Sequence, residues 1–350
     1  MKQKHLCIIL FLVFVVVVVT LIYSNYVEGF ITSEVPTVEF PFKNLKNQRG
    51  ENLKIIAITA PFREEKHEQL YKQYKDQGLH FLGISSYLDF PDKIVNPYED
   101  TFHKKQNHNY LKMVSSWVYC TRSPSTNMKN AKIPLLQLTE ADMKDTNYYS
   151  PDRSIKKEYD FIYVCLDDNK KCQPGWQSYN RNWVLCKECL KVMCSKYNLK
   201  GLIVGRINCK ITDLCSDKIK FVPFMKFHEF QKTIQKCKFA FFPNITDASP
   251  RVITEALCYD MPVLVNENIL GGWHNVIPGI TGEFFTNEIN LKYALAILLY
   301  RILKKSYKPR EWFLKNRGEN SRKQFADFLK KNYAEALNES SVLTEAYTEK

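Results

Sequence analysis

Asp247 and Glu255 are separated by seven residues within the segment KFAFFPNITDASPRVITEALCYDMPVLVNENILGGWHNVIPGITGEFF, residues 238–285. The apolar run that opens it reads as a buried strand, and Pro250 is a favoured first residue for the helix that follows. Asp247 and Ser249 then stand on the loop between strand and helix, with Glu255 one to two turns inside the helix. Both carboxylates can face one cleft. Amides at a helix start suit an anion, phosphate in particular, and ligands of open α/β sheets bind beyond the carboxyl ends of the strands, where this loop lies. An isolated glutamate early in a helix is more often a favourable charge near the macrodipole. The ordered strand, proline, helix and Pro-Val strand around this one favour a site instead.

The elements that must position these residues alternate. LKIIAITA (53–60) reads as a strand, HEQLYKQYKDQG (67–78) as a helix ended by Gly78, and LHFLGISSY (79–87) as a strand. NYLKMVSSWVYCTR (109–122) has apolar residues at helical spacing and reads as a helix, followed by KIPLLQLT (132–139) as a strand. A tract rich in Asp, Tyr and Ser over about 142–156 reads as the domain boundary. Beyond it DFIYVCL, KGLIVGR, KIKFVPF, KFAFFPN and MPVLVN read as strands. Between them lie helices over 182–197, FHEFQKTIQKC and PRVITEALCYD, and the tail from Leu291 to Leu337 reads as helices. Short apolar strands alternating with helices predict a mostly parallel sheet covered on both faces, here twice. YALAILLY in the tail is too short to span a bilayer.

The second half resembles the GT-B glycosyltransferases of the family 4, or group 1, type, whose hallmark is an acidic-x7-Glu motif followed by a helix and a Pro-Val strand. The match runs from Asp247 through Glu255, Ala256 and Leu257 to Pro262 and Val263, then to the Gly271–Gly272 loop and Gly282. With FVPF, the amphipathic helix and the FFP strand before it, the resemblance covers about residues 160–330. It implies an α/β protein of GT-B type, with two Rossmann-like lobes, the N-terminal one shortened. It also implies transfer of a sugar from a nucleotide-sugar donor to a glycan, glycoprotein or lipid acceptor. On that resemblance Asp247 and Glu255 are the catalytic acids: Glu255 would hydrogen-bond the ribose hydroxyls and Asp247 the donor sugar. Ser249, Pro250, Arg251, Val252, Gly271 and Gly272 would hold the diphosphate or sugar, and Arg251, Lys170, Lys171 or Arg181 would neutralise the phosphates. Family 4 enzymes are generally retaining and need no metal or other cofactor, and the sequence contains no D-x-D motif of the metal-dependent class. An exostosin-like inverting transferase and an inactive carbohydrate-binding module of the same fold are the alternatives. Several positions depart from the family pattern. Asp247 replaces the usual Glu, Asp260 stands where Gly is common, and APFREEKHEQ lacks the glycine-rich loop after the first strand. His103 and His108 are candidates for donor or acceptor contacts and, more simply, for solvated loop positions.

Leu6–Tyr23 is an uncharged apolar run close to the roughly 20 residues that a membrane helix needs. Lys2 and Lys4 precede it and only Glu28 falls in Ser24–Gly29, so the positive-inside rule predicts a type II signal anchor, with the rest on the lumenal side of an ER- or Golgi-type membrane. The alternative, a cleaved signal peptide, fits less well, because the run exceeds the usual apolar region and no small-x-small cleavage site follows it. The expected organisation is a cytosolic tail (1–5), anchor (6–23), stem (24–50), N-terminal acceptor-side lobe (51–150), C-terminal donor lobe with its helices (151–337) and a tail (338–350). Apart from Cys7 in the anchor there are ten cysteines, some of which can pair on the lumenal side of a secretory membrane, with partners that the sequence does not assign. Cys172, Cys186, Cys189 and Cys194 tempt a zinc reading, but the last three fall in a predicted helix, where buried or disulfide cysteine is the better expectation. Asn244 and Asn338 match the glycosylation sequon, Asn338 being the better candidate because Asn244 falls within the proposed site. The net charge of +13 favours an anionic partner, yet the basic residues are dispersed, which argues against nucleic acid.

Overall fold

A computed structural model of the chain describes residues 35–85, 90–91, 108–122, 124, 126–209, 215, 217–337, 343 and 345–348. The apolar run 6–23, Lys2, Lys4, His103 and Asn338 lie outside the described residues. Among the described residues no helix is long and apolar enough to cross a membrane. Residues 38–350 form one compact unit built on two six-stranded sheets.

The first sheet contains β1 (Phe42–Asn47), β2 (Asn52–Ile58), β3 (His80–Ile84), β4 (Ser116–Tyr119), β5 (Leu135–Gln137) and β12 (Ala346–Thr348) in the order β12-β1-β2-β3-β4-β5. Strands β2 to β5 are parallel, while β1 pairs antiparallel with both β2 and β12. The lobe is therefore wound in one direction only from β2, and two antiparallel strands occupy the side where a doubly wound sheet would continue. Helix α1 (Glu65–Asp76) lies between β2 and β3 and the short α2 (Thr126–Asn130) between β4 and β5, and Tyr71 and Tyr74 of α1 join an aromatic cluster with Phe42 and Phe81.

The second sheet is wholly parallel: β6 (Tyr159–Val164), β7 (Gly201–Val204), β8 (Ile219–Val222), β9 (Cys237–Phe242), β10 (Val263–Asn266) and β11 (Gly282–Phe285), in the order β11-β10-β9-β6-β7-β8. Such strands are buried on both faces, which is why they read as continuous apolar runs. Helices α4 (Trp183–Ser195) and α7 (Glu288–Leu303) supply one core with Leu190, Met193, Leu295 and Leu298. Helices α5 (Phe227–Ile234), α6 (Arg251–Cys258) and α8 (Pro309–Asn316) supply the other with Ile234, Ile253, Leu257 and Phe313. The chain winds β6, β7, β8 in one direction and β9, β10, β11 in the other. The strand order therefore reverses between β6 and β9, the position at which open sheets of this kind bind ligands.

Three expectations are corrected. The segment 109–122 is not a helix: after a 3₁₀ turn at Tyr110–Lys112 it forms β4. Its apolar spacing fits a helix, but β-branched and aromatic residues at 117–119 fill the slot between β3 and β5. There Trp117 is fully buried and donates its indole N–H to Ser85 Oγ at 2.8 Å. It packs over Gly83, where any Cβ would collide with the ring. The stem does not extend to residue 50, because Phe42–Asn47 is strand β1. Nor does the last helix belong to the second lobe. Helix α9 (Glu319–Asn332) places Phe325, Ala326 and Leu329 in the core of the first sheet, and β12 extends that sheet. Tyr333 at the end of α9 pins it there, its hydroxyl donating to Phe81 O at 2.8 Å and lying 2.8 Å from Ser116 Oγ.

Cys172 and Cys209 form a disulfide joining the loops that follow β6 and β7. Cys186, Cys189 and Cys194 lie in α4 as buried free thiols of its core face. Burial pushes the thiols of Cys120, Cys237 and Cys258 up to about 12, so they remain protonated and unreactive.

Candidate functional site

The loop 243–250 leaves β9 at the reversal of strand order and leads into α6. Asp247 on this loop is buried, accepts from Asn244 Nδ2 at 2.9 Å and from the Ser249 amide at 3.3 Å, and forms an ion pair with Arg181. Arg181 comes from the other side of the reversal. It follows α3 (Trp176–Asn180), the short helix in the β6–α4 connection, and its carbonyl accepts from the hydroxyl of Tyr163 in β6 at 2.9 Å. Asn182, next in the chain, caps α4 and donates to Pro243 O at 3.1 Å. Two loops from opposite halves of the winding are thereby tied around one acid–base pair.

A buried device sets where α3 begins. Asp168 accepts from the Gln177 amide at 2.6 Å and the Ser178 amide at 3.1 Å, the first turn of α3. Its other partner is the fully buried Arg206, whose Nη1 lies 3.2 Å from Asp168 Oδ2 and which also donates to Leu166 O at 2.8 Å. The guanidinium stacks over Trp183, 4.9 Å from the ring centre. Arg206 was not singled out from the sequence. An arginine ending the apolar strand run KGLIVGR was the available signal.

Gly271 and Gly272 close the site from the β10 side. The Gly271 amide donates to Asp247 O at 2.9 Å, and a Cβ at Gly271 would collide with the Ala248 carbonyl. Gly272 has φ 72° and starts the 3₁₀ turn Trp273–Asn275. The buried atoms Asn244 Oδ1, Trp273 Nε1 and His274 Nδ1 have no hydrogen-bond partner among the described residues. Buried polar atoms are seldom left unsatisfied, so these three atoms on the loops around Asp247 can each take a hydrogen bond from water or from a polar ligand. The buried Asn244 is also a hydrogen-bond partner of Asp247, which is incompatible with glycosylation of the folded chain there.

Glu255 stands apart from that network. It is buried in the second turn of α6 with Oε1 2.7 Å from Lys144 Nζ, and Lys144 also donates to Tyr149 OH at 3.0 Å. The two acids of the motif are thus engaged by different partners: Asp247 within the second lobe, Glu255 by the segment joining the lobes. Helix α6 begins at Arg251, with Pro250 as its N-cap and no side chain capping it. Arg251 is exposed and pairs with Glu140 of the first lobe at 3.2 Å, while Val252 packs on the core beneath α6. Lys170 and Lys171 are exposed on the loop after β6 and are not drawn into the Asp247 network.

The lobes meet beside the site. Thr121 bridges Gly271, the Arg122 amide donates to Leu270 O at 3.0 Å, and the Arg122 guanidinium lies over Trp273. Asp142 is almost fully buried between His274 Nε2 at 3.2 Å, Asn275 Nδ2 at 2.8 Å and Arg317 Nε at 3.7 Å. Burial alone would raise the carboxyl, but the hydrogen bond and charge of His274, the charge of Arg317 and the bond from Asn275 together hold it below the ordinary aspartate range. A depressed folded-state value contributes stability that is present above the unfolded value of about 3.9 and lost as pH falls through the folded one. The parent chain is therefore expected to lose stability faster than Asp142→Asn as pH drops below about 4. Urea midpoints measured between neutral pH and acid check this; parallel pH profiles would refute it.

No family model matches the sequence, and no curated protein matches it. Solved structures do. TarM is 12% identical with a TM-score of 0.55, the match covering 79% of this chain and 54% of TarM, so the chain spans about half the length of that protein. Sucrose-phosphate synthase from Thermosynechococcus elongatus is 12% identical with a TM-score of 0.56, covering 81% of this chain and 74% of that one. HepE from Anabaena, in complex with UDP and glucose, is 12% identical with a TM-score of 0.55, covering 78% and 77%. Likeness at this identity is one of backbone path, and with the strand order and lobe connections described above it establishes that the chain has the two-lobed GT-B fold of these glycosyltransferase structures.

Proposed function

We propose that the chain is a glycosyltransferase that moves a sugar from a nucleotide-sugar donor to a glycan, glycoprotein or lipid acceptor. The observation that carries this reading is the Arg181–Asp247 ion pair at the reversal of the second sheet, on the loop leading into the uncapped start of α6. A cation and free helix amides suit a diphosphate, and the unsatisfied atoms of Asn244, Trp273 and His274 suit sugar hydroxyls. In the reaction the bond between the sugar C1 and the diphosphate oxygen breaks, a bond from C1 to an acceptor oxygen forms, and the acceptor proton leaves with the diphosphate or solvent. Arg181 stabilises the charge that develops on the departing diphosphate, Asp247 orients the sugar, and no metal is required. The donor is a uridine diphosphate sugar, a reading supported by the HepE complexes with UDP and with UDP-glucose. Retention of configuration, an acceptor on the first lobe, and anchoring by residues 6–23 on the lumenal side of an ER- or Golgi-type membrane complete the proposal.

A second reading, donor binding without transfer, draws on the Lys144 ammonium that already occupies Glu255. Release of nucleoside diphosphate from a panel of nucleotide-sugars by the full chain in detergent, with chelator and with acceptor extracts, separates the two. Turnover supports transfer, tight binding without turnover supports the second reading, and neither binding nor turnover refutes both.

A further inference from the structure

Helix α7 is apolar on two faces, and among the described residues only one of them is covered. Leu291, Ala294, Leu295 and Leu298 are buried against α4 and the second sheet. On the opposite side Ile289, Tyr293, Ile297, Tyr300 and Leu303 are between 47% and 78% exposed. At 3.6 residues per turn these five fall within about 120° of arc and run about 21 Å along the axis. The solvent side of a surface helix is ordinarily polar, and a continuous exposed apolar strip marks a surface that meets something.

The edges of the strip indicate what it meets. Lys292 flanks one edge, Lys304 and Lys305 close the C-terminal end just beyond the helix, and Arg301 on the other edge is paired with Glu283 and donates to Gly279 O; Glu288, at the first residue, is the helix's single acid. Lys292 Nζ sits 4.8 Å from the Tyr293 ring centre and Lys304 Nζ 5.8 Å from that of Tyr300. Apolar side chains in the middle, tyrosines among them and lysines at the rim match the boundary between acyl chains and anionic headgroups. There the lysine stems lie along apolar surface and their ammonium groups reach phosphate. A second copy of this chain is a poorer occupant. Two such strips face to face would bring lysine rims together, and a strip about 21 Å by 10 Å covers far less than the roughly 800 Å² per partner of a stable interface.

We propose that the exposed face of α7 lies in the plane of a bilayer surface carrying anionic headgroups. The proposal concerns α7 alone: it holds whether or not the site on the other loops transfers sugar and, because anionic headgroups are concentrated in cytoplasmic leaflets, it does not rest on the lumenal placement of the chain. To test it, the full chain carrying Cys7→Ser and Leu303→Cys is labelled with an environment-sensitive fluorophore. The other unpaired cysteines are buried and do not compete. The labelled chain is reconstituted into vesicles of brominated phosphatidylcholine, with or without phosphatidylserine. A label at Gln73→Cys, on α1 of the first lobe, serves as the control that responds to chain anchoring without α7 contact. The Leu303 label is expected to be quenched in phosphatidylserine vesicles well beyond the Gln73 label. Lys304→Gln should weaken this engagement about fivefold, and Tyr293→Glu with Tyr300→Glu, both at exposed positions, should abolish it. Equal quenching at the two positions, or quenching indifferent to phosphatidylserine and to Lys304→Gln, would overturn the proposal. Cross-linking between Leu303→Cys chains in lipid-free detergent would overturn it in favour of a second copy.

Discussion

Glu255→Ala is expected to lower the unfolding free energy by about 3–5 kcal/mol, a loss read directly from urea or thermal unfolding. The reason lies in what the substitution leaves behind. Lys144 and Glu255 are both almost fully buried and 2.7 Å apart, so removing the carboxylate strands an ammonium left with the Tyr149 hydroxyl and ring. Taking one member from a buried pair costs far more than the pair itself contributes, because the desolvation penalty of the survivor is no longer offset. The double substitution Lys144→Met with Glu255→Leu is therefore expected to unfold within about 1–2 kcal/mol of the parent. This pair of variants also separates two roles for Glu255. If the double variant folds normally but releases no nucleoside diphosphate from any donor, Glu255 contacts the ligand as the family resemblance implies. If it turns over donor at the parent rate, the glutamate serves the join between α6 and the interlobe segment instead. A parent-like stability for Glu255→Ala alone would show that the pair is not buried in solution.

Arg181→Ala is expected to reduce donor turnover by about 10²–10³-fold while leaving the chain folded. Arg181 is partly exposed, and Asp247 retains its bonds from Asn244 and the Ser249 amide when the guanidinium is removed. The loss should therefore fall on the ligand rather than on the fold. Arg181→Lys keeps the charge but not the planar fork that matches phosphate geometry, and an intermediate loss is expected. The informative comparison is binding of nucleoside diphosphate against binding of the nucleoside. A guanidinium that meets the diphosphate weakens the first and spares the second. Unchanged turnover by Arg181→Ala would remove this residue from the site and with it the main support for a phosphate at the switch point.

How far the sequence reached can be seen element by element. The second lobe was legible because its strands are buried on both faces and its helices on one, so each announces itself through the period of its own apolar residues. Asp247 and Ser249 were chosen from their place in that order and the Gly271–Gly272 loop from the family resemblance, and the structure sets all of them, with Arg181, on neighbouring loops. Lys170 and Lys171 were chosen with Arg181 because all three lie on the same connection. Only the folding of α3 decides that Arg181 reaches Asp247 while the lysines remain in solvent. The segment 109–122 misled because its apolar spacing is compatible with both a helix and a short strand, and the choice was made by the vacant position beside β3.

What the sequence determined by itself is the alternation of strands and helices in the second lobe and the placing of an acidic pair, with seven residues between its members, on a loop and the helix that follows it. These follow from local patterns, in which each residue's neighbours in the chain are also the evidence for its role. What only the tertiary structure decided is who partners whom across the fold. Lys144 finds Glu255 111 residues away, Tyr333 meets Ser116 217 residues away, and the last helix returns to the first sheet. Such contacts depend on how the layers close on one another. A buried charge or hydroxyl must find a partner wherever packing brings one, and sequence distance places no constraint on where that is.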